Sequence, residues 1–252
     1  MLRLALKVST PISEEFVKIG NLSTRSLSEL KPRMKRSLDL IVSILLLVLS
    51  LPLVGLVALA ILMSMGPPVF FRQIRPGLHC QPFSLLKFRS MCNAYDDKGN
   101  MLPGQQRITR LGRLLRSLSL DELPQLFNVL RGDMSLVGPR PLLTKYLELY
   151  TPEQMRRQEV KPGITGWAQV NGRNGITWED KFALDVWYVD HQSIWLDLKI
   201  LWLTLIKVVS REGVTTAGGT LAAHFAGTRK EKREGTLPSD SLPTAEQTKD
   251  AE

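Results

Sequence analysis

Apolar and polar positions divide this chain into stretches of different character. From Leu40 to Met65 there is no charged residue. As a straight helix this run is roughly 39 Å long, enough to cross a ~30 Å hydrocarbon layer. Pro52 stands near its middle, where it removes a backbone hydrogen bond and bends a helix. Each half is about a dozen residues and reaches only ~18–20 Å. Two readings follow: a kinked helix that spans the bilayer, or a bent helix that enters and leaves through one leaflet.

Gly66-Pro67-Pro68 ends the run. Val69–Ile74 and Pro82–Phe88 then read as short strands about the turn Arg75-Pro76-Gly77, which predicts a small β-hairpin. Residues 93–106 are polar and read as a loop, and the rest is mainly helical to about Arg211. Between Ile194 and Val209, Trp195, Leu198, Leu201, Trp202, Leu205 and Val209 recur at helical spacing. That stripe suits either a buried core helix or an amphipathic helix in a membrane interface, with Trp at headgroup level. From Thr228 on there are almost no apolar residues, which predicts disorder.

Charge narrows the choices. The 252 residues carry a formal net charge of +9, so anionic partners are expected. No zinc-finger spacing, basic zipper or RNA-binding signature accompanies the charge, which leaves membrane surfaces and phosphorylated substrates rather than nucleic acid. Lys31, Arg33, Lys35 and Arg36 precede the apolar run, and Arg72 and Arg75 follow it. Positive charge marks the cytoplasmic side, so both ends are expected there. The apolar segment starts too late for a secretory signal and no small-residue cleavage site follows it. Cys80 and Cys92 are too few for a disulfide framework, and His79, His191 and His224 lack zinc-ligand spacing.

The chemistry-bearing candidates lie in the middle. Ser117-Leu-Ser-Leu-Asp121-Glu122-Leu-Pro124 holds adjacent carboxylates. Ser119 and Glu122 fit a capping box, and Asp121 could itself be the cap; either places the pair at a helix start. The free N–H groups there favour an ionised carboxylate and attract phosphate. Lys87, Arg89, Arg113, Arg116, Arg131 and Arg140 surround the pair in sequence. Prolines on both sides of Arg140 hold its backbone stiff, which suits one fixed phosphate contact. The segment Lys161–Asn174 is rich in glycine and side-chain amides, with Asn171 and Arg173 as ligand-binding candidates. Neither a GxxxxGK[ST] loop nor a GxGxxG fingerprint occurs, which disfavours nucleotide triphosphatase and dinucleotide readings.

Together KRSLDLIVS, FFRQIRPG, FSLLKFRSM, LRSLSLDELPQLFNVLRGDMSLVGPRPLL, VKPGITGWAQVNGRNGITWEDK and LDVWYV resemble the monotopic polyprenol-phosphate phosphoglycosyl transferases, the bacterial sugar transferase family, in its small single-domain form. The resemblance runs from about Lys35 to Val214. It implies a mostly α, membrane-associated fold: a re-entrant membrane helix, interfacial amphipathic helices and the small β-hairpin. The corresponding division is an N-terminal extension at 1–34, the re-entrant helix at 35–66, a catalytic domain at 67–214 and a C-terminal extension at 215–252.

The resemblance also implies chemistry. Asp121 attacks the β-phosphate of a UDP-sugar, releases UMP and carries a covalent phospho-sugar, which polyprenyl (undecaprenyl) phosphate then takes up. Glu122 is expected to assist proton transfer. Mg²⁺ is the expected cofactor, with Asp121 as its protein ligand. Lys87, Arg116 and Arg140 match phosphate-site positions, and Asp185 and Asp197 match recurrent acidic positions. The expected place is the cytoplasmic face of a bacterial inner membrane, in contact with membrane lipid, with a homodimer as a further expected partner. His224-Phe225 is similar to members that use UDP-linked N-acetylated amino-deoxy sugars. Relatives place Ser directly before the bend proline, whereas here Leu51 intervenes after Ser50. The competing class is a non-catalytic membrane-surface binding or scaffold protein, which basic charge and amphipathic helices alone would permit.

Overall fold

The computed structural model describes residues 12–172, 176–210, 225 and 227; from Ile12 to Lys31 it describes the backbone alone. Its longest element is helix α1, Ile12–Met65, which continues through both Pro32 and Pro52. Pro52 has no N–H to offer the carbonyl of Val48. The hydroxyl of Ser50 bonds to the Leu47 carbonyl at 3.2 Å, so it does not serve that freed group.

From Pro32 to Met65 one edge of α1 is buried and the opposite side is exposed. Asp39, Ser43 and Leu47 face the protein one helical turn apart, as do Val57 and Ile61 further on. Ile41, Leu45, Leu49, Leu56 and Met63 are exposed. The helix Pro32–Met65 is long and apolar enough to cross a membrane, and only 17% of its most apolar window is buried.

After α1 come strands β1 (Phe70–Pro76) and β2 (Pro82–Phe88), antiparallel, with Phe70 opposite Phe88 and Pro76 opposite Pro82. The hairpin expected from sequence is thus present. The reversal falls later than the expected Arg75-Pro76-Gly77, since Arg75 and Pro76 belong to β1: a 3₁₀ turn at Leu78–Cys80, with His79 and Cys80 at positive φ, joins the strands. Helix α2 (Arg110–Ser117) starts at Thr109, whose side chain accepts from the Gly112 N–H. A Cβ at Gly112 would lie 1.9 Å from the Ser90 carbonyl oxygen, so glycine lets α2 lie directly on the chain leaving β2.

Helix α3 (Gln125–Arg131) ends at Gly132, whose φ of 92° closes the helix. Strands β3 (Ser135–Val137) and β4 (Gly163–Thr165) form a parallel pair that the mainly helical expectation for this region did not include. Between them lies the short helix α4 (Pro152–Met155), and beyond them are α5 (Trp167–Asn171), α6 (Trp178–His191) and α7 (Ile194–Val209). The main core gathers Leu85 of β2, Val129 of α3, Leu136 and Val137 of β3, Tyr188 of α6 and Ile200 of α7. Asn128 ties α3 to the hairpin: its amide donates to the Ser84 carbonyl and accepts from the Leu86 N–H.

Helix α7 is not a buried core helix. Trp195, Leu198, Trp202 and Leu205 face outward, with Trp195 82% exposed, while Asp197 and Ile200 face inward. Phe225 is buried among Tyr146, Tyr150, Trp178 and Phe182. Most of the C-terminal extension, including His224 and the segment expected to be disordered from 228, lies outside the described residues.

Candidate active site

The carboxylate pair sits where the chain reverses between α2 and α3. Ser119 is left-handed (φ 55°) and makes no side-chain cap, so neither the capping box nor a cap by Asp121 forms. Leu120–Glu122 is a 3₁₀ turn, and Leu123 and Pro124 continue in helical conformation into α3. The pair thus does lie in the first turn of a helical run, but the reversal at Ser119 places it there.

The two carboxylates have different fates. Glu122 receives Lys87 Nζ at 2.7 Å and both terminal nitrogens of Arg140, one at 3.0 Å and the other in a very short contact. Asp121 accepts no hydrogen bond among the described residues, and its nearest cation is Lys87 at 4.0 Å. Glu122 is held well below the usual carboxylate range: burial opposes ionisation, but Arg140 and Lys87 outweigh it. Asp121 is pushed up, first by burial and then by the charge of Glu122, against the pull of Lys87, Arg116 and Arg140. Burial and repulsion prevail over the ionising environment expected at a helix start. Burial likewise lowers Lys87, while its two carboxylates raise it.

Each cation is placed by its own element. Lys87 projects from β2, and Arg116, at the end of α2, donates to Ser90 Oγ at 2.9 Å. Arg140 follows β3 in the turn Gly138-Pro139-Arg140-Pro141, where its carbonyl accepts from Arg157 at 2.7 Å. Arg157 is buried and bonds to Asp185 and Tyr150. A Cβ at Gly138 would stand 2.3 Å from the Lys161 carbonyl oxygen, so this turn packs directly on the chain before β4. The acidic position Asp185 thus acts through Arg157 on the backbone of Arg140. Asp197 has a separate task, binding Lys35 of α1 and Tyr188 of α6.

The cluster opens onto a groove of about 1370 Å³. Asp121, Lys87, Arg116 and Arg140 line it together with apolar residues that include Leu46 and Leu49 of α1. One site therefore meets both fixed cations and the side of an apolar helix. Not every expected binding residue joins it in the same way. Arg89 lines the groove but donates to the Pro67 and Met91 carbonyls and approaches those of Met65 and Gly66, closing the end of α1. Asn171 bonds to the Trp167 carbonyl on its own helix and does not line the groove. Arg173 lies outside the described residues.

Among the described residues, no group of three or more His, Cys, Asp or Glu side chains is placed to hold a metal ion. Mg²⁺ is commonly held by one or two carboxylates together with a substrate's phosphates. Asp121, which accepts no hydrogen bond among the described residues, fits that pattern; Glu122, bonded by both Lys87 and Arg140, does not.

Sequence reasoning missed Gln169, which lines this groove, and Arg157 with Tyr150, which stand behind Arg140. Arg157 had no signal beyond being one basic residue among many, since its pairing with Asp185 spans 28 positions. Gln169 stood inside the amide-rich segment, where the candidates singled out were Asn171 and Arg173.

Comparison with known proteins shows what the chain as a whole is similar to. A family profile described as bacterial sugar transferase matches residues 30–211. Over 194 residues the chain is 57% identical to an uncharacterized sugar transferase EpsL of Bacillus subtilis, covering 77% of this chain and 96% of that protein. It is 44% identical to a UDP-glucose:undecaprenyl-phosphate glucose-1-phosphate transferase of Caulobacter vibrioides, covering 71% of this chain and 70% of that one. It is 37% identical to a UDP-N-acetylgalactosamine-undecaprenyl-phosphate N-acetylgalactosaminephosphotransferase of Aeromonas hydrophila, covering 78% of this chain and half of that protein.

Proposed function

This chain belongs to the bacterial sugar transferase family and is an enzyme, and we propose that it transfers a sugar 1-phosphate from a UDP-sugar to undecaprenyl phosphate through a phospho-sugar held covalently on Asp121. The observation that carries the reading is the asymmetry of the pair. Glu122 is hydrogen-bonded by two cations, while Asp121 accepts no hydrogen bond among the described residues, lies 4.0 Å from Lys87 and faces the groove.

In the first step a carboxylate oxygen of Asp121 attacks the phosphorus that bears the sugar. The bond from that phosphorus to the bridging oxygen breaks, and UMP leaves with the oxygen. In the second step a phosphate oxygen of the lipid attacks the same phosphorus. The bond to Asp121 breaks, which restores the carboxylate and leaves the sugar on a lipid diphosphate. Phosphoryl transfer of this kind depends on positioning and charge stabilisation, which Lys87, Arg116 and Arg140 supply.

Neither departing group requires a proton from the protein, because UMP leaves as a phosphate-ester anion and Asp121 leaves as a carboxylate, both stable near neutral pH. Glu122, held ionised, is poorly suited to donate one. Its geometry instead supports a positioning role, fixing Arg140 and Lys87 beside Asp121. Mg²⁺ bound by Asp121 and the diphosphate would neutralise charge on the departing UMP.

The placement of α1 supports the re-entrant reading, and the basic residues on both sides of its apolar stretch support the cytoplasmic face of a bacterial inner membrane. Arg36 and Asp39, just before its apolar stretch, bond to the end of α3 and to β3. Ile61, near its end, packs with Phe88 and Leu115 of the same body. A straight span would carry that charged body into hydrocarbon, at a cost of several kcal/mol per unsatisfied polar group. A helix that returns to the side it entered avoids this. The outward Trp195 and Trp202 of α7 suit the headgroup level of the same surface.

For the donor we favour a UDP-N-acetylated amino sugar, the class in the name of the Aeromonas relative; the Caulobacter relative's name gives glucose. Phe225 packs in an aromatic cluster and does not line the groove, so the donor assignment rests on resemblance. A panel of UDP-sugars with undecaprenyl phosphate, scored by UMP release, tests both reaction and donor. Turnover confined to UDP-glucose or UDP-galactose overturns the donor assignment, and absence of turnover with every UDP-sugar overturns the reaction.

A further inference from the structure

Gln169 lies on α5, one turn beyond β4, and lines the same groove as Asp121. Both polar atoms of its amide, Oε1 and Nε2, are buried and have no hydrogen-bond partner among the described residues. A buried amide left wholly unpaired is rare, because each unmet group carries its full desolvation cost. The backbone is shaped to hold it there: a Cβ at Gly166 would lie 2.8 Å from Gln169 Oε1 and 2.2 Å from the Gly138 carbonyl oxygen. Only glycine at 166 lets the amide and the turn before Arg140 pack this closely. Lys181 and Asp185 of α6 line the groove as well, and Asp185 Oδ1 is also buried without a hydrogen-bond partner among the described residues.

We infer that the Gln169 amide binds the neutral hydrogen-bonding part of the donor, giving one N–H and accepting one N–H or O–H, and so helps set donor specificity. Phosphates have their partners in Lys87, Arg116 and Arg140. An uncharged side chain that offers one donor and one acceptor is matched to a group of the same kind. A UDP-sugar has two: the imide edge of uracil and the hydroxyl or acetamido groups of the sugar. The inference rests on the UDP-sugar reading above, and its test separates the two ideas.

The test uses the full chain in nanodiscs, as wild type, Gln169→Leu and Gln169→Glu. Equilibrium binding of UMP and of several UDP-sugars is measured first, then KM and kcat for donor and for undecaprenyl phosphate. Loss of two buried hydrogen bonds is expected to weaken donor binding by about 10- to 100-fold in Gln169→Leu, with the KM for lipid unchanged. If Gln169 reads uracil, UMP binding weakens by the same factor. If it reads the sugar, UMP binding is unchanged and the ranking of donors shifts. Either pattern supports the inference. Unchanged binding of UMP and of every donor in a folded Gln169→Leu protein overturns it, as does a rise in the lipid KM alone. Wild-type protein that binds a UDP-sugar but never releases UMP defeats the proposed reaction and leaves the binding comparison decisive. Wild-type protein that binds neither UMP nor any UDP-sugar defeats both.

Discussion

Where α1 meets α6 and α7, Lys35 donates to Asp197 at 2.6 Å, and Tyr188 donates to the other oxygen of the same carboxylate at 2.6 Å. Nearby, Asp39 accepts from Ser135 Oγ and from the Leu136 N–H. Each of these carboxylates is matched to donors of the protein itself. At the hairpin end of the groove, two carboxylates again meet Lys and Arg, but Glu122 takes the bonds and Asp121 takes none. The residue types are similar and the environments similarly enclosed. The difference is completeness: a cluster whose bonds are all satisfied internally joins elements, whereas one that leaves a carboxylate unmet among cations is poised to meet something from outside.

Replacing each unmet or met carboxylate by its amide breaks the comparison most directly. Asp121→Asn should lower UMP release by a factor on the order of 10⁴ or more, since no step begins without the nucleophile. Its melting temperature should stay near that of wild type, because no hydrogen bond is lost. Asp197→Asn should do the opposite. Leaving Lys35 without its buried partner should cost about 3 kcal/mol in denaturant unfolding, with near-normal turnover per folded molecule. Substantial residual turnover in Asp121→Asn, or a catalytic collapse in fully folded Asp197→Asn, would remove the distinction between the two clusters.

Glu122→Gln comes next. Arg140 and Lys87 lose their shared anchor, and turnover should fall ~10²–10³-fold, as when a preorganised charge partner is displaced. The pH profile separates positioning from proton transfer. Only ionised Asp121 attacks, so the rate is full above its pKa and lost as pH falls through it. Burial and the Glu122 charge raise that pKa, which places the acid limb above the ordinary carboxylate value of about 4. In Glu122→Gln the repelling charge is gone and two cations are released toward Asp121, so the limb should move to lower pH. A basic or acidic limb that disappears altogether would instead make Glu122 a proton carrier.

Smallest is the effect expected from Arg89. Its guanidinium closes the end of α1 and is not held against the carboxylates, so Arg89→Lys should change KM for the donor by less than about threefold. A large rise in KM would return Arg89 to the substrate-binding set.

The sequence made some of this legible and concealed the rest, for local reasons. Alternation around Pro76-Gly77 announces the hairpin because short antiparallel strands carry their pattern in adjacent residues. The parallel pair β3 and β4 escapes that reasoning, since three residues are too few for a period and the partners Ser135 and Gly163 are far apart in sequence. The outward stripe of α7 was visible as spacing, but spacing does not say which side is solvent or lipid. The Ser119-to-Glu122 capping box misled for a definite reason: its Glu is drawn to Lys87 and Arg140, from elements outside the local sequence. Asp121 and Glu122 were marked by resemblance, while their inequality became apparent only with the placement of those cations.

The central claim is that Asp121 carries the sugar phosphate. Wild-type protein incubated with its UDP-sugar and Mg²⁺, without lipid acceptor, should gain the mass of one sugar phosphate. Peptide mapping should put that mass on Asp121, and added undecaprenyl phosphate should discharge it. An adduct on Glu122 or another residue would contradict the account, as would normal transfer to lipid with no adduct formed at any time.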